Sequence, residues 1–225
     1  MNGIKIISAI VMLLFASVLD LRKREINDIV WISFGGLAVV LFFLGGDLWK
    51  NLVVLAISMI IAPVALLIWR LGVFGGADSL CLIVLSALAP MMTFVTSGIT
   101  PFTTLTNAAL LSVTPIIVNI IRNSIAILKK EDIFKGIDAT RLNKAVAFCI
   151  GYKAKISKYN FSIERMDGVD RKLDFSFKHA ENTAYSTKPD TWVTPGIPYV
   201  LYITTGFIIQ LFYGDIIFNT LHILK

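Results

Sequence analysis

Residues 4–24 read IKIISAIVMLLFASVLDLRKR, and their order decides the class of the fold. From 4 to 19 the run is apolar apart from Lys5 and two serines. Asp20 then closes it, and Arg22, Lys23 and Arg24 follow at once. An apolar run backed by a basic cluster reads as a helix that enters a membrane and stops at the charges. Lys5 lies at the end of the run, where its long side chain is expected to snorkel to the headgroups. No small-residue cleavage site follows, so a retained span is expected rather than a removable leader. A carboxylate at a membrane helix end is costly to desolvate, which makes Asp20 a candidate functional residue.

The same texture recurs along the chain. Of 225 residues 56% are apolar, and the mean hydropathy is +0.76. Apolar runs predict six spans, at 4–19, 26–44, 52–69, 80–97, 105–128 and 197–212. With six spans the connections alternate sides. One side then holds 18 of the 21 lysines and arginines, the other only Lys5, Lys50 and Lys225. By the positive-inside bias the basic side is cytoplasmic and both termini face outside. The net charge of +6 then needs no nucleic-acid partner, because a basic cytoplasmic face meets anionic membrane lipids. Pro63, Pro90 and Pro115 fall inside spans and predict kinks or packing irregularities.

Counting spans brings a second acid to the side of Asp20. Asp78 ends the stretch Gly75-Gly76-Ala77-Asp78, just before the apolar run that starts at Leu80. Asp20 ends span one and Asp78 opens span four, so both are expected at the cytoplasmic face. Other acids have plainer roles. Asp28 opens span two as a helix cap, and Asp215 lies near the outer end of the last span, in a headgroup or helix contact. Asp78 has a competing role as the N-cap of span four. Cys81 and Cys149 form no C-x-x-C pair, and the two histidines, His179 and His222, stand apart, so neither a structural disulfide nor a metal site is expected.

The non-membrane region runs from about 129 to 195. Residues 131–150 have helical spacing, with Ile133, Ile137, Leu142 and Val146. After Gly151 the pattern alternates, predicting strands at 152–156, at 161–165, and around Leu173, Phe175 and Phe177. Asp167-Gly168 between two of them is a turn signal. His179 is read as a solvated strand residue. Trp192 and Tyr199 bracket the entry to the last span, as interfacial anchors do. The fold class expected is thus a polytopic α-helical membrane protein of six transmembrane helices with a small β-containing cytoplasmic insert before the last. Its parts are membrane helices at 1–128, the insert at 129–195 and a final helix at 196–225.

Two close carboxylates cannot both ionise cheaply, so a pair holds one proton between them. One member takes a proton from water while the other polarises a carbonyl. Gly72, Gly75 and Gly76 ahead of Asp78 would let backbone and substrate approach closely. The flanking residues carry a resemblance. Asp20-Leu-Arg22-Lys-Arg-Glu-Ile26-Asn-Asp28 resembles the D-x-R-x-x-x-I-P-[ND] stretch of the type IV prepilin peptidases, with Asn27 where proline is usual. Gly75-Gly76-Ala77-Asp78 resembles their G-x-G-D box in its archaeal form, with Ala77 in place of the second glycine. Trp192-Val-Thr-Pro195-Gly-Ile-Pro198 is similar to the entry of the last span in archaeal preflagellin peptidases.

The resemblance implies a GxGD-type aspartic endopeptidase that removes the short basic leader from preflagellin or type IV prepilin-like precursors at the cytoplasmic membrane face. Asp20 and Asp78 would be its catalytic pair and Gly75, Gly76 and Ala77 the supporting motif, with no cofactor. The paired cysteines of many bacterial members are missing, so their N-methyltransferase activity is not implied. The rival from another class is a small ion- or proton-coupled transporter using the same carboxylates. Midplane acids and broken helices in two related halves would mark it, and neither is evident. A presenilin-like protease cutting inside the bilayer is the nearest competitor among enzymes, and the edge position of both acids favours cleavage beside the membrane instead.

Overall fold

A computed structural model describes residues 2–90, 100–155, 159–167, 170–176 and 183–223. Its helices are α1 (Asn2–Lys23), α2 (Asp28–Phe43), α3 (Leu48–Ser58), α4 (Ile61–Arg70), α5 (Gly76–Leu88), α6 (Thr100–Leu111), α7 (Thr114–Leu128), α8 (Arg141–Ile150), α9 (Tyr199–Phe212) and α10 (Ile216–Ile223). Two compact units divide the chain. One joins Met1–Leu111 to Pro198–Lys225, and the other is Ser112–Ile197.

By length and composition, Asn2–Lys23, Leu48–Arg70 and Pro101–Leu128 are long and apolar enough to cross a membrane. Asp28–Phe43, Gly76–Leu88 and Tyr199–Phe212 are shorter apolar helices. The protein is therefore mostly helical, with three candidate spans and a small β-containing region before the final helices. The tail of the predicted fourth span, residues 91–97, lies outside the described residues.

Proline sets the helix breaks. Pro63 has no N–H to give the Met59 carbonyl, and α3 ends at Ser58 with Met59 as its C-cap. That carbonyl takes the Ala62 N–H instead, at 2.9 Å. Pro115 stands in the same relation to Leu111, the last residue of α6. Ala89, before Pro90, leaves the helical region at φ −128° and ends α5.

In the first unit α1, α5 and α9 share one core. Met12, Leu13, Leu82, Leu85, Ile203 and Phe207 are fully buried in it. The opposite face of α1 presents Ile7, Val11, Leu14, Phe15 and Val18 outward. Helices that bury one apolar face and expose another suit a lipid surround. Helices α6 and α9 cross closely at Gly206 of α9, where a Cβ would lie 2.8 Å from the Thr104 carbonyl oxygen and 2.9 Å from the Ala108 nitrogen. Beside it the Asn107 amide donates to the carbonyls of Gly206 and Gly214 and accepts from the Ile216 N–H. Asp215 accepts from the Thr106 hydroxyl at 2.9 Å and from the Phe218 N–H at 3.0 Å. It is a helix contact and the cap of α10, a helix the sequence pattern had not suggested.

The second unit holds α7, α8 and the strands β1 (Ile137–Asp138), β2 (Tyr152–Ala154), β3 (Asn160–Ser162), β4 (Glu164–Asp167), β5 (Asp170–Leu173) and β6 (Thr191–Pro195). One sheet has the order β1-β5-β4, with β1 parallel to β5. The other has the order β2-β6-β3 and is antiparallel. The helix expected over 131–150 is confined to α8. Lys130 and Gly136 take left-handed φ values of 60° and 75°, which end one helix and prevent another before Thr140 caps α8. Ile133 and Ile137 still reach the core with Ala147, Ile163 and Trp192, but through a turn and a strand.

The strand expected at 161–165 splits at Ile163 into β3 and β4, which belong to different sheets. Asp167 pairs with Asp170 at the end of the β4–β5 ladder, and Gly168 of the turn signal lies outside the described residues, as do Ile156, Phe177 and His179. Trp192 is not an interfacial anchor. It is fully buried in β6, stacks on Phe134 with centroids 4.6 Å apart, and donates its indole N–H to the Ile133 carbonyl at 2.9 Å.

Candidate active site

Asp20 sits in the last turn of α1, half-buried, one helical turn beyond Ser17. Its carbonyl accepts the Arg24 N–H at 3.0 Å, and Arg24 closes the helix with φ 58°. The Arg24 charge lies within electrostatic reach of the Asp20 carboxylate. Asp78 is half-buried in the first turn of α5. It is not the N-cap, because Gly75 holds that position and α5 starts at Gly76. Asp78 instead folds back over the helix start, its Oδ2 accepting the Gly75 N–H at 3.0 Å, the acid's half of a capping box. Gly75 takes φ −75°, a value open to any residue, so its backbone does not itself demand glycine.

Neighbouring polar groups position the two helices. The Ser79 hydroxyl donates to the Ala65 carbonyl at 3.0 Å, tying the start of α5 to α4. On α1 the Ser17 and Thr204 hydroxyls lie 2.7 Å apart. Tyr199, the first residue of α9, packs its ring on Phe74 with centroids 4.6 Å apart, and the phenol lies within electrostatic reach of Asp78. Cys81, fully buried one turn after Asp78, is within reach of the charges of both Asp78 and Asp20. Asp20 thus ends α1 and Asp78 stands in the first turn of α5, and the two helices share one core.

The other acids do not join them. Asp28 is exposed in the first turn of α2, where Asn27 is the N-cap and accepts the Ile29 N–H at 2.9 Å. Asn27 has φ −69°, which a proline ring also imposes, so the asparagine keeps the backbone that proline would. Among the described residues, no three His, Cys, Asp or Glu side chains gather as a metal ion would need. The pairing of Ser17 with Thr204 and the packing of Tyr199 on Phe74 were missed in the sequence. The available signal was hydroxyl side chains inside apolar runs, at helical spacing from an acid.

Residues 7–119, which include both aspartates, match the model of the type IV leader peptidase family. The chain belongs to the type IV leader peptidase family. Residues 152–216 also match the archaeal peptidase A24 C-terminus, type II. As a type IV leader peptidase family member the protein is a protease, and so a hydrolase. It is similar to the preflagellin peptidase of Methanococcus maripaludis, 29% identical over 227 residues, covering 93% of this chain and 94% of that one. The preflagellin peptidase of Methanocaldococcus jannaschii is 24% identical over 229 residues, covering 90% and 91%. That of Methanococcus voltae is 27% identical over 217 residues, covering 90% and 92%.

Proposed function

We propose that this chain is a membrane aspartic endopeptidase that removes the short basic leader from preflagellin or type IV prepilin-like precursors. Asp20 and Asp78 are its catalytic pair, and cleavage occurs at the cytoplasmic face. The observation that carries this reading is that Asp20 closes α1 and Asp78 opens α5, two helices that pack in one core with α9. The family match and the three preflagellin peptidases similar over nearly the whole chain support the substrate class.

In this proposal the chain crosses the membrane six times, with both termini outside, through membrane helices at 1–128 and 196–225. The region 129–195 is the cytoplasmic insert. The lysine and arginine distribution supports that orientation. A scissile peptide bond lies between the two carboxylates. One, ionised, takes a proton from a water as the water attacks the carbonyl carbon. The other, protonated, donates to the carbonyl oxygen, and the pair then returns a proton to the leaving amine. The titration belongs to the pair rather than to either acid. Gly75, Gly76 and Ala77 support it by leaving little side-chain bulk at the start of α5.

The test is cleavage of a membrane-inserted preflagellin by the wild type, Asp20→Asn and Asp78→Asn. Each substitution should lower the rate by about 10²-fold to 10⁴-fold while the protein stays folded. Normal cleavage by either folded variant would sink the assignment.

A further inference from the structure

Lys5 lies near the start of α1. It is 8% exposed and opens into a cavity of about 480 Å³ at the end of the first unit remote from Asp20. Along α1 the separation from Lys5 to Asp20 is about 22 Å by helical rise. Among the described residues the Lys5 ammonium has no ion pair or hydrogen bond within the protein. The Asn51 Nδ2 on the same cavity is also buried without an acceptor. Lys50 and the terminal turn of α1 at Asn2 complete the polar wall.

The field in this cavity favours an anion. The first turns of α1 and α3 both border it, and helix N-termini carry partial positive charge. Two lysines add to that, against one carboxylate, Asp47. Asp47 is itself engaged as the N-cap of α3, its Oδ1 accepting the Lys50 N–H at 3.1 Å. The rest of the wall is apolar, with Phe42, Val54 and Leu55. A donor-rich head space beside an apolar wall fits a phosphate carried on acyl chains.

We propose that this cavity binds the phosphate headgroup of an anionic phospholipid, with Lys5 as its principal charge partner and Lys50 and the Asn51 amide as further donors. The site is separate from the aspartates, and its occupancy is read without any cleavage assay.

The full-length protein in detergent micelles would be mixed with phosphatidylglycerol, with a diacylglycerol of the same acyl chains, or with inorganic phosphate, and followed by native mass spectrometry and thermal unfolding. Phosphatidylglycerol should form a one-to-one adduct and raise Tm, and the diacylglycerol should do neither. Lys5→Met should weaken the adduct about tenfold, the loss of one charge-assisted contact. Lys50→Ala, at an exposed position, should weaken it severalfold and covers the case in which Lys5→Met does not fold. Equal adducts in wild type and both folded variants would overturn the proposal, as would equal binding of the diacylglycerol. Lys5-dependent binding of inorganic phosphate with none of phosphatidylglycerol would overturn the lipid as the source.

Discussion

The Thr204 hydroxyl lies 2.7 Å from that of Ser17, across 187 residues of sequence, and also reaches the Leu13 and Val200 carbonyls at 3.2 and 2.8 Å. This buried contact joins α9 to α1 one helical turn before Asp20. It holds α1, which carries Asp20, against α9, whose first residue Tyr199 packs on Phe74.

Thr204→Val removes the hydroxyl and keeps the shape. The coupling between Ser17→Ala and Thr204→Val in a double-mutant cycle should be about 1 kcal/mol, read from unfolding in micelles. Preflagellin cleavage should fall in the same variants by more than Tm alone accounts for, because the register of Asp20 depends on the contact. A coupling near zero would remove this positioning role.

Gly206 admits no side chain. A methyl there would meet the backbone of α6, at the Thr104 oxygen and Ala108 nitrogen, rather than a movable side-chain tip. Gly206→Ala should cost about 1–3 kcal/mol, as overpacking does. Gly35→Ala and Gly36→Ala, with open space around the added carbon, are the controls and should leave thermal unfolding nearly unchanged.

Glu164 joins the two small sheets. Its carboxylate accepts three bonds from the Arg171 Nε and Nη2, at 2.6–2.9 Å, and the Trp192 backbone N–H at 2.6 Å. The Glu164 side chain is 8% exposed and that of Arg171 30%. Glu164→Ala strands a partly buried guanidinium and a backbone N–H, and should destabilise the second unit by about 2–3 kcal/mol. Limited proteolysis should then cut within 112–197 well before it cuts the wild type.

The Asp167–Lys172 pair offers a pH reading outside the membrane helices. The 2.7 Å hydrogen bond from Lys172, and then its charge, hold the Asp167 carboxyl below its usual range, while the same bond raises the Lys172 ammonium above its own. The acid's contribution to stability is therefore present above the ordinary aspartate range and lost as pH falls through the depressed value. The lysine's is present below the ordinary lysine range and lost as pH rises through the raised one. Both groups are exposed, so the net effect on stability is small and weakens with salt. An NMR titration should show Asp167 ionising at higher pH in Lys172→Met than in the wild type. An unchanged midpoint would remove the pair.

Local chemistry made much of this protein legible. The apolar runs, the proline breaks at Met59 and Leu111, and the pairing of Asp167 with Asp170 all follow from residues within a few positions of one another. Asp20 and Asp78 could be singled out because a charge beside an apolar run is conspicuous wherever it occurs. Asp28 and Asp215 were equally conspicuous and proved to lie in the first turn of α2 and at the cap of α10.

What depends on partners distant in sequence was not legible. Trp192 looked like a membrane anchor because its neighbours in the chain lead into an apolar helix. Its burial is decided by Phe134, Ile133 and the flanking strands β2 and β3. Ile133 and Ile137 kept helical spacing, yet two left-handed residues sent them to the same core by another route. That Lys5 lines one cavity with Lys50 and Asn51 is decided by the packing of α1 against its neighbours. The sequence by itself determined which segments are apolar and which charges they must accommodate, since transfer out of water is a property of each side chain. The tertiary structure decided which of those segments pack on one another, because the contact of Ser17 with Thr204 exists only once α1 and α9 come together.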